Sequence, residues 1–409
     1  MAVSEQSVAS AAMSRPAPHA APSRQRVEVV DVVRGIIMIL MALDHTRDFF
    51  GDAAASPTNL ATTTPALFFT RWVTHFCAPT FFLLTGTGAF LSLRRRTVGD
   101  LSRFLISRGL WLIVLEVTIA RFLWQFNLDY RVTLLNVLWA LGWAMIALGA
   151  LVHLPLRAIG GFGVALIIFH NAFDGVTGQG WRSLASLWTV LHRPNFVLPG
   201  PPHTVFVAYP LIPWIGVTAV GYVLGSLWDR PADERQSVLL RLGTACVVSF
   251  VVLRGFNLYG DPSPWTGQAR AALTLVSFLN LSKYPPSLLF LLMTLGPVLL
   301  ALRALDGYTP RVLRPAQVIG KVPMFYYLAH VLVLHVIAVV ASAVRFGTPR
   351  PAFESPTLDR FPITQVPGWP ASLPVVYTIW VGAVLALYPL CRWYARVKRD
   401  SANPWLSYL

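Results

Sequence analysis

The sequence predicts an all-α, polytopic integral membrane protein of about ten transmembrane helices with both termini in the cytoplasm. Three observations lead there. Of 409 residues, 55% are hydrophobic and 12% charged, with a mean hydropathy of +0.58, whereas a soluble domain carries about 25% charged residues. Apolar stretches long enough to cross a hydrocarbon layer of about 30 Å recur along the chain. Basic residues gather on alternate connections between them.

The composition excludes a cytosolic globule, a disordered chain, a collagen and a coiled coil. The charge of +15, from 33 Lys and Arg against 18 Asp and Glu, sits in short clusters between apolar runs. That pattern reads as topogenic charge beside an acidic leaflet of the lipid bilayer, and no nucleic-acid partner is expected. Cys77, Cys246 and Cys391 have neither disulfide nor metal-ligand spacing, so no metal is expected.

Residues 1–27, rich in Ala, Ser, Pro and Arg without an apolar core, read as a disordered cytoplasmic tail rather than a cleaved signal peptide. The membrane domain is expected over 28–398 and a cytoplasmic tail over 399–409. Within the domain the apolar stretches fall at about 31–50, 68–92, 104–124, 132–153, 157–172, 205–228, 238–256, 284–302, 318–343 and 373–394. Helices are expected because backbone polar groups in lipid must pair within their own segment. With the amino terminus inside, 20 of the basic residues lie on the cytoplasmic side against 12 outside, with Arg34 inside the first helix. The densest cluster, Arg94, Arg95 and Arg96 with Arg103 and Arg108, is a topogenic anchor placed where it can also meet a phosphorylated cytosolic ligand. Connections 173–204, 257–283 and 344–372, rich in Pro, Gly and aromatics, read as an external cap around a mouth. The glycines of GTGAF read as sites of close helix packing.

The most informative stretch is the first, VDVVRGIIMILMALDHTRDFFG, which places Asp31, Arg34, Asp44, His45, Arg47, Asp48 and Asp52 in or beside one apolar span. Ionisable residues inside a membrane are functional candidates by default. At about 100° per residue, Arg34 and His45 lie within about 20° of one another, and Asp48 and Asp52 extend the same stripe. Along the axis they stand about 16 Å apart, with Arg34 near the cytoplasmic end. Other polar residues in apolar surroundings are His75, the cluster His170, Asn171 and Asp174 closing the fifth stretch, and Glu116, for which an ion pair with Arg121 is the default reading. His330 and His335, about 140° apart on one helix, suit a shared metal poorly and read first as buried polar contacts.

The stretches RVEVVDVVRGIIMILMALDH and TRWVTHFCAPTFFLLTGTGAFL, with YPLIPWIGVTAVGYVLG, KYPPSLLFLLMTLGP and VPMFYYLAHVLVLH further on, resemble the catalytic domain of the heparan-α-glucosaminide N-acetyltransferase family in its bacterial branch, over about residues 26–395. The spacing Arg34-x10-His45 is also similar to the signature of bacterial integral-membrane acyltransferases that acetylate glycans. The resemblance implies transfer of acetyl from cytosolic acetyl-CoA to an external acceptor, a glycan, amino sugar or glycolipid, in a bacterial inner membrane; a homodimer is compatible with it. It departs from the human-type enzyme, whose catalytic His follows this helix and which has Asn where His45 stands; residues 46–74 here contain no His.

The catalytic role is therefore carried to His45, as base or acyl carrier, with Asp48 or Asp44 to orient it. Placement at the inner face makes Arg34, Arg94, Arg95 and Arg96 the candidates for the acetyl-CoA phosphates, and placement toward the external end, at the depth of His45 or near it, makes His170, Asn171, Asp174 and His75 the candidates for the acceptor. The competing expectation is a transporter or lipid flippase that uses the polar stripe as a path.

Overall fold

The computed structural model describes residues 27–51, 56–200, 202–355, 371–401, 403 and 406. Most of the expected amino-terminal tail, Asp52, much of the connection 344–372 and most of the carboxy-terminal tail lie outside the described residues. About 73% of the chain is helical.

In order, α1 spans Glu28–Phe50; α2 (Pro65–Trp72) continues through a 3-10 turn into α3 (Cys77–Ser92); and α4 (Val98–Leu115) continues through a π-helical turn, Glu116–Ala120, into α5 (Arg121–Gln125). Then follow α6 (Val137–Leu151), α7 (Leu156–Phe169), α8 (Ser183–Leu191), α9 (Leu211–Gly225), α10 (Ala232–Gly255) and α11 (Ala271–Leu279). The remainder is α12 (Leu288–Leu305), α13 (Arg314–Gly320), α14 (Pro323–Phe346) and α15 (Leu373–Asp400). Starts are set by local chemistry. Thr64, Thr97 and Ser287 accept backbone N–H groups at the first turns of α2, α4 and α12, satisfying donors that the helix leaves unpaired.

Helices stand at all ten expected stretches. Seven of them, Pro65–Arg95, Leu156–Phe173, Leu211–Asp229, Ala232–Gly255, Leu288–Leu305, Pro323–Phe346 and Leu373–Asp400, are long and apolar enough to cross a membrane, and Val137–Leu151 is a shorter apolar helix. The other two, α1 and the α4–α5 rod, carry charged residues along their length. The expectation of an all-α chain needs one amendment. Residues expected to open two spans form strands instead: β1 (Val132–Leu135) pairs in parallel with β3 (Thr204–Val207), and β2 (Asn195–Leu198) pairs antiparallel to β3. The β-branched and aromatic residues of these segments suit a short pleated ribbon better than a helix start.

Large apolar side chains remain exposed on α10 (Leu240, Val248, Val251, Val252) and α15 (Val381, Leu385, Leu390), the surface a lipid solvent requires. The α1–α13 crossing is closed by glycine. A Cβ on Gly35 would stand 1.7 Å from the Ala316 carbonyl oxygen, and one on Gly320 would stand 1.9 Å from that of Asp31. The two backbones therefore touch, as in small-residue membrane crossings. Gly86 in the GTGAF stretch packs in the same way against α9, but Gly88 opens toward Arg34, whose Nη2 would lie 4.0 Å from an added Cβ.

Candidate active site

Between the carboxy-terminal end of α1, the start of α6, the turn after α2 and the segment 280–284 lies a cavity of 530 Å³, lined among others by Asp44, His45, Asp48, Arg71, His75, Lys283 and Tyr284. His45 Nδ1 lies 2.7 Å from Nε2 of His330 on α14. His330 Nδ1 lies 2.8 Å from the Tyr326 carbonyl oxygen, and a carbonyl can only accept, so His330 donates there. With both rings neutral, His330 Nε2 accepts the proton of His45 Nδ1, and the lone pair of His45 falls on Nε2. Trp124 meets the His45 ring edge-on at 4.7 Å, and its Nε1 donates to the Tyr327 hydroxyl at 3.3 Å.

The carboxylates beside His45 are engaged elsewhere. Arg47 donates to Asp44 at 3.0 Å and to Asp48 at 2.6 Å, and Arg71 also donates to Asp44. The hydrogen bond of His45 thus goes to His330, whose sequence context alone suggests only a buried polar contact. Its presence in an apolar helix was a signal, but its partner is 285 residues away. His75 lines the cavity with its Nδ1 enclosed and without a hydrogen-bond partner.

The far wall is organised around Arg254. Its guanidinium donates to the carbonyl oxygens of Ser263, Ser277, Phe278 and Asn280 at 2.7–3.0 Å, and Asp261 accepts from Ser263 N, Ser282 N and Ser287 Oγ. Burial pushes the Asp261 carboxyl up despite those bonds. This frame presents Lys283 and Tyr284.

A second cavity, of 300 Å³, lies along the other half of α1 and is lined mainly by Met38, Leu84, Leu105, Leu112, Leu141 and Met145, with the cationic residues Arg34, Arg108, Lys321 and Lys398 in its wall. Met41, Phe81, Val137 and Tyr327 line both cavities. Arg34 is held by Asp31 at 3.1 Å and by the Gly320 carbonyl at 3.3 Å.

Arg94, Arg95 and Arg96 do not line this cavity. Arg94 pairs with Asp229 at 2.9 Å, while Arg96 stacks over Phe104, itself a lining residue. Lys321 and Lys398 were not singled out in the sequence, because only tertiary packing brings them to Arg34.

His170, Asn171 and Asp174 line neither cavity; the structure groups them with His192 instead. Glu116 differs from expectation as well. Its Oε2 accepts from Leu138 N at 2.8 Å and Trp139 N at 3.2 Å, so it caps α6 rather than pairing with Arg121, which binds Asn127 and Asp129. The π-helical turn at Glu116 aims the carboxylate at that helix start. His335 ties α14 to its neighbours, with ring nitrogens 2.7 Å from the carbonyl oxygens of Leu123 and Ala352.

Fold and site together define an integral membrane protein whose two dissimilar cavities share a wall that includes Tyr327, its ring 6.1 Å from that of His45. Residues 26–258, more than half of the chain, match the family described as heparan-alpha-glucosaminide N-acetyltransferase, catalytic, and the protein belongs to that family. The match takes in His45, Arg34, Arg71 and His75, while His330, Lys321 and Lys398 lie beyond it. A search of curated proteins finds no match.

Proposed function

We propose that the protein is a transmembrane acetyltransferase that takes acetyl from acetyl-CoA in the 300 Å³ cavity and delivers it to a glycan, amino sugar or glycolipid in the 530 Å³ cavity. The observation behind this reading is that an apolar cavity with a cationic wall and a polar cavity share Met41, Phe81, Val137 and Tyr327 beside His45. Arg34, Arg108, Lys321 and Lys398 receive the CoA phosphates through charge-assisted hydrogen bonds, with Arg94, Arg95 and Arg96 at the approach. The pantetheine arm lies along α1 and spans the roughly 16 Å from Arg34 to His45.

His45 Nε2 takes the proton of the acceptor hydroxyl or amine as that atom attacks the thioester carbonyl carbon. The C–S bond then breaks, and the CoA thiolate receives the proton. In the acyl-carrier variant, Nε2 attacks first and the acceptor takes the acetyl group in a second step. His330 holds His45 Nδ1, a role assigned to it in place of Asp44 and Asp48. The Tyr327 hydroxyl, at the shared wall, donates to the developing oxyanion. His75, Lys283 and Tyr284 contact the acceptor.

The topology that goes with this chemistry has ten spans, both termini in the cytoplasm and the 530 Å³ cavity facing out from a bacterial inner membrane. Reporter fusions after residue 190 should read external and at 232 internal. The decisive assay uses sealed vesicles, in which acetyl-CoA at the cytoplasmic face alone should label an amino-sugar acceptor supplied at the external face alone. Absence of acetyl-CoA binding by the purified protein, or solute movement through it without acetyl-CoA, would overturn the reading in favour of a transporter.

A further inference from the structure

We propose that His170, Asp174 and His192 bind one divalent transition-metal ion, of the zinc class, that braces the frame behind the larger cavity. The ligand atoms of the three residues lie within 4.8 Å of one another. His170 and His192 are 2% and 1% exposed, and all four of their ring nitrogens lack a hydrogen-bond partner. Two buried imidazoles left in that condition are costly, because burial strips water from polar atoms without replacing it. His192 Nε2 lies 3.2 Å from Asp174 Oδ1, yet is not aligned to donate to it.

That separation suits two ligands of one ion. Donors at about 2.0–2.1 Å from a tetrahedral zinc stand about 3.3 Å apart. The widest separation in the cluster exceeds this by at most about 1.5 Å, a closure that side-chain rotation supplies. Two imidazoles and a carboxylate are a borderline-soft set that favours zinc or cobalt over magnesium or calcium.

The carboxylate is also oriented from behind. Asn171 Nδ2 donates to Asp174 Oδ2 at 2.8 Å, while Asn171 Oδ1 accepts from Leu288 N at the start of α12. Such an outer contact leaves Oδ1 for the ion and fixes its direction. Three protein ligands leave the fourth position to water. The ion would pin the end of α7 to the end of α8, just ahead of the β2–β3 ribbon that leads to Ala208 and Tyr209 in the cavity wall.

This inference rests on the cluster alone, so it can fail while the acetyltransferase reading stands, and the reverse. The test uses tag-free, chelator-treated full-length protein in detergent, titrated with Co²⁺ and then Zn²⁺. Expected are one tetrahedral cobalt absorption spectrum per chain, its loss on adding one equivalent of zinc, and a zinc-dependent rise in melting temperature. His192→Gln and Asp174→Asn should abolish the spectrum and the rise, and Asn171→Ala should weaken binding by about 10- to 100-fold. His203→Ala, at an exposed ring on a loop, should change nothing. If the variants do not fold, the wild-type titration still decides. Less than one equivalent bound, an octahedral spectrum, or equal binding by folded His192→Gln protein would show that the cluster holds water only.

Discussion

At the scale of single residues, the neighbours of His45 divide into His330, which hydrogen-bonds its ring, and Asp44 and Asp48, which are held in ion pairs. The proposed base faces the cavity through Nε2 because His330 and the Tyr326 carbonyl take up the other end of the ring pair. His45→Ala should lower acetyl transfer by roughly 100- to 10,000-fold while leaving acetyl-CoA binding within about threefold. Transfer within threefold of wild type would exclude His45 as the base. His330→Phe removes the acceptor for His45 Nδ1 without emptying the space. It should lower kcat by about tenfold or more and leave the KM for acetyl-CoA nearly unchanged, whereas a merely structural residue would alter both. Asp44 has a different task, since it accepts from both Arg47 and Arg71. Removing one partner of a buried ion pair costs about 3–5 kcal/mol. Asp44→Asn should therefore show in the melting temperature in detergent, with the loss partly recovered by also replacing Arg71.

Among the elements, the α1–α13 crossing sets where the two halves of the stripe stand. Because added Cβ atoms at Gly35 and Gly320 would meet backbone rather than movable side chains, the helices cannot keep their spacing with any larger residue. Gly35→Val should destabilise the protein by at least the roughly 1–3 kcal/mol of an overpacked core and should also weaken acetyl-CoA binding, since Arg34 and Lys321 ride on the same crossing. A stable variant of normal affinity would show the crossing to be incidental. The helices themselves were legible in the sequence, because an apolar run bounded by charge has few other ways to satisfy its backbone in lipid. Their first residues were less so. The segments opening with Val132 and Val205 read as helix by hydropathy, and only strand pairing across about seventy residues revealed the ribbon. His45 could be read from its own helix, whereas His330, Lys321 and Lys398 become neighbours of the stripe only through packing.

For the molecule as a whole, the two cavities are the feature to test. Arg108→Ala with Lys321→Ala should raise the Kd for acetyl-CoA by at least about tenfold, given roughly 1.5–3 kcal/mol for a hydrogen bond to a charged group. Replacing Arg94, Arg95 and Arg96 together should have the smaller effect. Equal losses would move the phosphate site outward to that exposed cluster. Where the cavities touch, the shared walls are Met41, Phe81, Val137 and Tyr327, three apolar side chains and one phenol. If, as proposed, a two-carbon group passes here across a bilayer, the path must not also short-circuit it. An ion stripped of water between such apolar walls faces a desolvation penalty of several kcal/mol or more, so under the proposed acetyl transfer the junction would also serve as electrical insulation. Met41→Gly should then discharge a proton gradient across reconstituted vesicles that the unaltered protein sustains, and saturating acetyl-CoA should restore the seal by occupying the gap.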